Sequence, residues 1–291
     1  MKNVFYFLTA LLISVTFTGC PSPNQPEPDN NAGFKGFIYY SSGKDIYRLQ
    51  LSNQTTTTLF TDAVSPEITS KGEILCVEPN FGRNGRIIYT DLAGANRKSL
   101  IETDGLYGTH KQFMNNPRLS YNQLYVVYYG NKHSFVIDAE NGALLAKLGD
   151  WDSKNPMLSP SWAPDGSIFC SGEVSQNNGI YKYAPDFSTY VRIDPNLSNV
   201  TEPSVSPDGK KIAFIKDEKL WTMDIDGSNP MLLNTTTTNL RKPIWSPDSK
   251  YIAVVASLSG HIHIIDSNLL TDTKITKSQI ADPDNNMSWR Y

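Results

Sequence analysis

Three aspartates recur at one place in a repeated phrase: Asp165 in Pro160-Ser-Trp-Ala-Pro-Asp-Gly166, Asp208 in Pro203-Ser-Val-Ser-Pro-Asp-Gly209 and Asp248 in Pro243-Ile-Trp-Ser-Pro-Asp-Ser249. Carboxylates that converge to within about 5–10 Å could share acid–base work on a glycosidic bond. Their context points to a structural role instead. A Pro at the second place of a turn, followed by Asp and Gly, suits a tight connection whose carboxylate caps nearby backbone N–H groups. Asp224-Ile-Asp-Gly-Ser-Asn229 begins like a calcium loop but carries Thr235 where the bidentate Glu belongs. The same residues fit a strand-ending hairpin in which Gly227 supplies positive φ, and Asp282-Pro-Asp-Asn-Asn286 is read likewise. His261 and His263 alternate on one strand and could begin a zinc site, which needs three or four ligands. His110 and His133 lie in other repeat units, so the pair is read as polar residues on a sheet surface. No Gly-x-Ser-x-Gly, His-Glu-x-x-His, phosphate-loop or dinucleotide fingerprint occurs. Neither a metal nor a cofactor is expected.

The elements that would position these groups are set by repetition. The apolar residue two places after the first Pro of the phrase is Trp162, Val205 or Trp245, and weaker copies place Ile68, Leu119 and Trp289 in the same role, 40 to 51 residues apart. That period suits a four-stranded propeller blade and is too long for helical repeats of about 33 residues. A second column recurs about 20 residues later in each unit: Ile46–Gln50, Ile87–Asp91, Phe135–Asp138, Ile180–Tyr183, Leu220–Asp224 and Ile262–Asp266. Runs such as Lys210-Lys-Ile-Ala-Phe-Ile215 and Lys250-Tyr-Ile-Ala-Val-Val255 are β-branched, aromatic and bounded by turn residues, as strands are. With 15 Tyr, 12 Phe, 5 Trp, 18 Pro and 19 Gly, the composition is that of many short strands and many turns. The formal charge of −3 is spread without blocks, which gives no footprint for nucleic acid.

Trp245-Ser-Pro-Asp-Ser-Lys-Tyr-Ile-Ala253 and Leu220-Trp-Thr-Met-Asp-Ile-Asp-Gly-Ser-Asn229 resemble the repeat of the TolB-type six-bladed β-propeller family over about residues 34–291. The resemblance implies an all-β fold of six four-stranded antiparallel blades, used as a binding module or as an appendage of peptidases. Thr69-Ser-Lys-Gly72 and Ser120-Tyr-Asn-Gln123 depart from the turn phrase. TolB is expected to carry an α/β domain before its propeller, and the expectation here is a propeller alone. Asn286-Met-Ser-Trp-Arg-Tyr291 reads as an opening strand that completes the first blade, so that ring closure ties the two ends together.

Cys76 and Cys170 each lie eight residues after their unit's reference position, where other units have Val127, Ala213 and Ala253. That column wants a small apolar side chain, and the two Cys fall in non-neighbouring blades, so free thiols are expected. Thr55–Thr58 and Thr235–Thr238 fall where outermost strands belong and suit a solvated edge.

Lys2, the apolar run Val4–Phe17 and Thr18-Gly19-Cys20 form a secretory signal that resembles the lipobox of bacterial lipoproteins, with Cys20 as the lipidated residue. The run of about 14 residues is short for a membrane span, which needs about 20. Residues 1–19 are read as signal peptide, 20–33 as the lipidated Cys with a Pro-rich tether, and 34–291 as propeller. The expected location is the bacterial cell envelope, at the outer membrane, as a monomer.

Ligand binding is expected on the face formed by the inter-blade connections and the second-to-third-strand loops, around the channel. Arg83, Tyr107, His110 and Trp151 on long insertions are the recognition candidates, together with Glu202 and Lys242, which with Asn116 and Asn286 should precede the inner strands and ring the channel mouth. The function expected is non-enzymatic binding of a protein or peptide of the envelope. The alternative is an enzyme or glycan-binding accessory with its site at the channel mouth.

Overall fold

The computed structural model describes residues 33–79, 85–102, 114–130, 133–149, 156–174, 177–194, 196–233, 235–268, 271–276 and 281–291. They form six sheets of four antiparallel strands each. The inner strands are Ser288–Arg290, Val64–Ile68, Asn115–Leu119, Met157–Trp162, Val200–Val205 and Leu240–Trp245, in blades one to six. The reference residues Ile68, Leu119, Trp162, Val205, Trp245 and Trp289 therefore all lie on inner strands, as the repeat predicts. Blade one takes its inner strand from the far end of the chain, with Phe37 opposite Arg290, Ile38 opposite Trp289 and Tyr39 opposite Ser288.

Second strands are apolar on both faces because each face packs against a different neighbour. In Lys211–Lys216, Ile212 and Phe214 join the cluster shared with blade four, while Ala213 and Ile215 join the cluster shared with blade six. The buried residues fall into six clusters, one in each gap between adjacent blades. This explains near-continuous apolar runs where a half-buried strand would alternate.

The repeat also explains its own Trp residues. Trp162 Nε1 donates to Arg118 O at 3.0 Å, Trp245 Nε1 to Ser204 O at 2.9 Å and Trp289 Nε1 to Lys35 O at 3.0 Å. Each indole thus fills apolar space and satisfies its one donor on neighbouring backbone.

Three expectations are corrected by the register. Cys76 and Cys170 are free and buried, as expected, but their column is displaced. Ile68 pairs with Ile74 and Trp162 with Ile168, whereas Leu119 pairs with Val126, Val205 with Ile212 and Trp245 with Ile252. The inner-to-second-strand turn is thus one residue shorter in blades two and four, and a one-residue slip turns a side chain to the other face. Cys76 and Cys170 face the preceding blade, whereas Val127, Ala213 and Ala253 face the following one. Burial pushes the Cys76 thiol up to about 12 and raises that of Cys170 as well, so both remain protonated. Thr55–Thr61 is the outer strand of blade one, but the outer strand of blade five is Met231–Leu232 and the later Thr run lies in the connection to blade six. His263 is buried rather than on a blade surface: its Nδ1 lies 2.8 Å from Asp272 Oδ1, whose other oxygen accepts the Thr236 amide and hydroxyl.

Candidate binding site in the central channel

Five inner strands carry a bulge at the same place, between Val64 and Glu67, Asn115 and Arg118, Leu158 and Ser161, Thr201 and Ser204, and Arg241 and Ile244. Inside each bulge is a residue followed by Pro: Ser65, Asn116, Ser159, Glu202 and Lys242, with φ of 56°, 51°, 49°, 54° and 52°. The Pro has no N–H to give the ladder, and the extra residue re-aims its neighbours. A residue before Pro normally adopts an extended backbone, and a long side chain rarely takes positive φ. Such strain persists where the surrounding structure fixes it, and it concentrates at functional sites.

Asn116, Ser159, Glu202 and Lys242 line a cavity of about 910 Å³ that occupies the space enclosed by the inner strands. Glu202, Lys242 and Asn116 thus line the channel, but within the inner strands rather than before them, and the cavity also extends to the first-to-second-strand turns at Thr69, Ser120, Pro207 and Pro247, at the end opposite the inter-blade connections where binding was expected. Asn286, which also lines the cavity, does precede its inner strand.

The structure brings Glu202 and Lys242 together. Glu202 Oε2 accepts the Lys242 backbone N–H at 2.7 Å, and Oε1 accepts Arg241 Nε at 2.8 Å. Lys242 Nζ stands 3.7 Å from Glu202 Oε1, with the lysine side chain 10% exposed and the glutamate side chain 6%. Burial lowers the Lys242 pKa; Glu202 and Asp284 pull it back up while Arg241 and Arg118 push it further down. A second cluster sits on blades one to three, where Glu67 accepts Arg118 Nη1 at 3.0 Å and Arg290 Nη2 at 2.7 Å. Arg118 Nη1 also donates to Met287 O at 2.8 Å, and Arg290 grips Ile68 O through Nε and Nη2. These bonds fix the side chains in place before any ligand arrives.

Sequence reasoning missed Glu67, Arg118, Arg241 and Arg290. The Pro that recurs in five of the six inner strands was the available signal for Glu67, Arg118 and Arg241, which flank the bulges built around it, whereas the strand of Arg290 has neither Pro nor bulge. Arg83, Tyr107, His110 and Trp151 lie outside the described residues, as does Cys20. Among the described residues no group of three or more His, Cys, Asp or Glu side chains is arranged to hold a metal.

The turn aspartates are engaged with their own turns. Asp208 Oδ1 accepts the Ser206 hydroxyl at 2.6 Å and the Lys210 amide at 3.1 Å, and Asp248 and Asp165 repeat the arrangement with Ser246 and Ser167. Asp224 and Asp226 hold Asn229 and Ser228 across their hairpin in the same manner.

No protein-family model matches the chain. The Uncharacterized peptidase YuxL of Bacillus subtilis (strain 168) is 31% identical over 111 residues, a stretch that is 34% of this chain and 17% of that relative. The chain thus spans about a sixth of the length of the curated relative it matches. The crystal structure of TolB from Acinetobacter baumannii superimposes with a TM-score of 0.69 at 17% identity, over 88% of this chain and 67% of that one. A chain assigned as TolB from Agrobacterium tumefaciens does so with a TM-score of 0.64 at 16% identity, over 87% and 92%. In blade number, strand order and superposition, this chain has the six-bladed β-propeller fold seen in the TolB structures.

Proposed function

We propose that this protein is a lipid-anchored component of a bacterial envelope whose propeller captures a protein or peptide partner in the central channel. The observation that carries the reading is the cavity of about 910 Å³ lined by strained bulge residues and by charged groups already held in place. A concave site with a few fixed polar groups among apolar walls is the ordinary form of a recognition site. Trp162, Trp245 and Pro203 supply apolar wall, while Glu67, Arg118, Glu202 and Arg241 supply directed polar contacts. The TolB-type fold is consistent with this use, and the signal ending at Cys20 supports the anchor. Propellers also occur in peptidases and other enzymes, so an enzyme or glycan-binding accessory would use the same cavity.

Blocking the channel tests the reading. Asp284 lines the cavity with its side chain 83% exposed, so Asp284→Cys leaves the fold intact and accepts a bulky maleimide. Cys76 and Cys170 are buried and do not compete for the label. The labelled variant should lose capture of partners from an envelope extract, whereas unlabelled variant and maleimide-treated wild type should retain it. Undiminished capture by the labelled variant would place the partner elsewhere on the propeller.

A further inference from the structure

Two carboxylates deep in the channel are each met by two cations. Glu67 faces Arg118 and Arg290, and Glu202 faces Arg241 and Lys242. Asp284 reaches Arg241 only at 4.0 Å, from an exposed position. The charges lining the cavity are therefore in excess toward positive, with Lys242 and Arg118 the more enclosed of the cations and Arg241 and Arg290 nearer to solvent.

The cations are also under-used. Among the described residues the Lys242 ammonium makes no hydrogen bond, since its approach to Glu202 stops at 3.7 Å, although its side chain is only 10% exposed. Arg118 commits Nη1 to Glu67 and to Met287 O, and among the described residues its Nε and Nη2 donate to nothing. All three cations line the same cavity, Arg241 and Lys242 on the inner strand of blade six and Arg118 on that of blade three, and both arginines disfavour the charged form of Lys242. None of these nitrogens is a buried atom left without a partner, so water in the cavity reaches them, and a ligand of opposite charge would take that water's place with charge-assisted bonds and offset the mutual repulsion. The same wall includes Asn116, Asn286, Trp162 and Trp245, amide and apolar surfaces that match a peptide backbone and its side chains.

We propose that the channel recognises a carboxylate of an acidic peptide segment, bound by the Lys242 ammonium with Arg118 and Arg241 beside it; this rests on the channel being the partner site. Glu202 then acts as the brake on affinity, because it competes with the incoming carboxylate for Arg241 and Lys242. The two glutamates keep the empty channel from being more strongly cationic.

Calorimetric titration of the full protein with blocked tetraglutamate and blocked tetraglutamine tests this. Tetraglutamate should bind at least about tenfold more tightly, and added salt should weaken it selectively. Lys242→Met should lose about tenfold, the order of one charge-assisted contact, whereas Glu202→Gln should gain several-fold. A variant that merely disturbs the fold would not strengthen binding, so the gain remains decisive if Lys242→Met fails to fold. Equal affinity for the two peptides, or a weaker Glu202→Gln, would overturn the inference. Trigalacturonate is the third ligand: tighter binding than tetraglutamate with the same Lys242 dependence would keep the carboxylate site and overturn the peptide as its source. If maleimide on Asp284→Cys abolishes partner capture while tetraglutamate never binds, the channel reading stands and the carboxylate inference falls. If tetraglutamate binds as described but the blocked channel still captures partners, the channel reading falls and the anion site stands.

Discussion

Asp208 shows what a repeated carboxylate does when it is not catalytic. It accepts a hydroxyl and an amide within its own turn, and its carboxyl is held below the usual range because these bonds and Lys210 outweigh the effect of burial, which acts upward. Asp208→Ala should cost about 1 kcal/mol, the value of a lost side-chain cap, with partner capture unchanged. Loss of capture at full thermal stability would make the turn carboxylates functional after all. Asp272 is the more deeply placed case. Burial pushes its carboxyl up, but His263 and Thr236 win and leave it below its ordinary value. A depressed folded pKa stabilises above the unfolded value of about 3.9 and is lost as pH falls through the folded value. Asp272→Asn should therefore destabilise by about 1–3 kcal/mol near neutrality, and denaturant unfolding at acid pH should show the gap closing. A gap that widens on acidification would contradict this pairing.

Blades hold together through their edges as well as their faces. The third-to-fourth-strand hairpins press against the blade before them: a Cβ on Gly227, whose φ is +88°, would stand 1.8 Å from Ile193 O, and one on Gly142 would stand 2.3 Å from Leu100 O. Neither backbone carbonyl can move without disturbing its own blade. Gly227→Ala should cost upward of about 4 kcal/mol, in the range of exceptional single substitutions, as read from chemical unfolding; a loss under about 1 kcal/mol would mean that the hairpin docks loosely. The bulged inner strand is the other recurring device. It bends the ladder so that residues which would otherwise stack between blades address the channel. The repeat spacing made the strands legible, but the bulges change which face a residue occupies without changing any residue count.

Closure governs the molecule as a whole. Ser288–Arg290 pairs with the first blade, and Trp289 and Met287 complete the apolar cluster between blades six and one. Removing residues 286–291 should leave two blades with exposed apolar edges and lower stability by several kcal/mol. An unchanged melting temperature would refute the role assigned to this strand. At the other end, Cys20→Ser should abolish incorporation of a labelled fatty acid and release the protein from the membrane fraction without unfolding it. Equal incorporation in the two proteins would remove the anchor from the proposed function.

Local, periodic information was readable from the residues. Turn phrases, β-branched runs and a spacing near 43 residues sufficed for six blades and for their closure, because each blade repeats the same short-range instructions. The same reasoning placed Glu202 and Lys242 at the channel, which they line, and it assigned Asp208 to its turn. What it could not reach were relations between blades. The neighbours that Glu67 finds are Arg118, 51 residues away, and Arg290, 223 residues away. No spacing rule links such positions, since ring geometry alone brings them together. The slip of Cys76 and Cys170 to the opposite face likewise turns on a single residue in two turns, and pairing register is decided by the assembled sheet. The sequence by itself determined the blades and their order; only the closed ring decided which charges meet in the channel and that its cations outnumber the carboxylates they face.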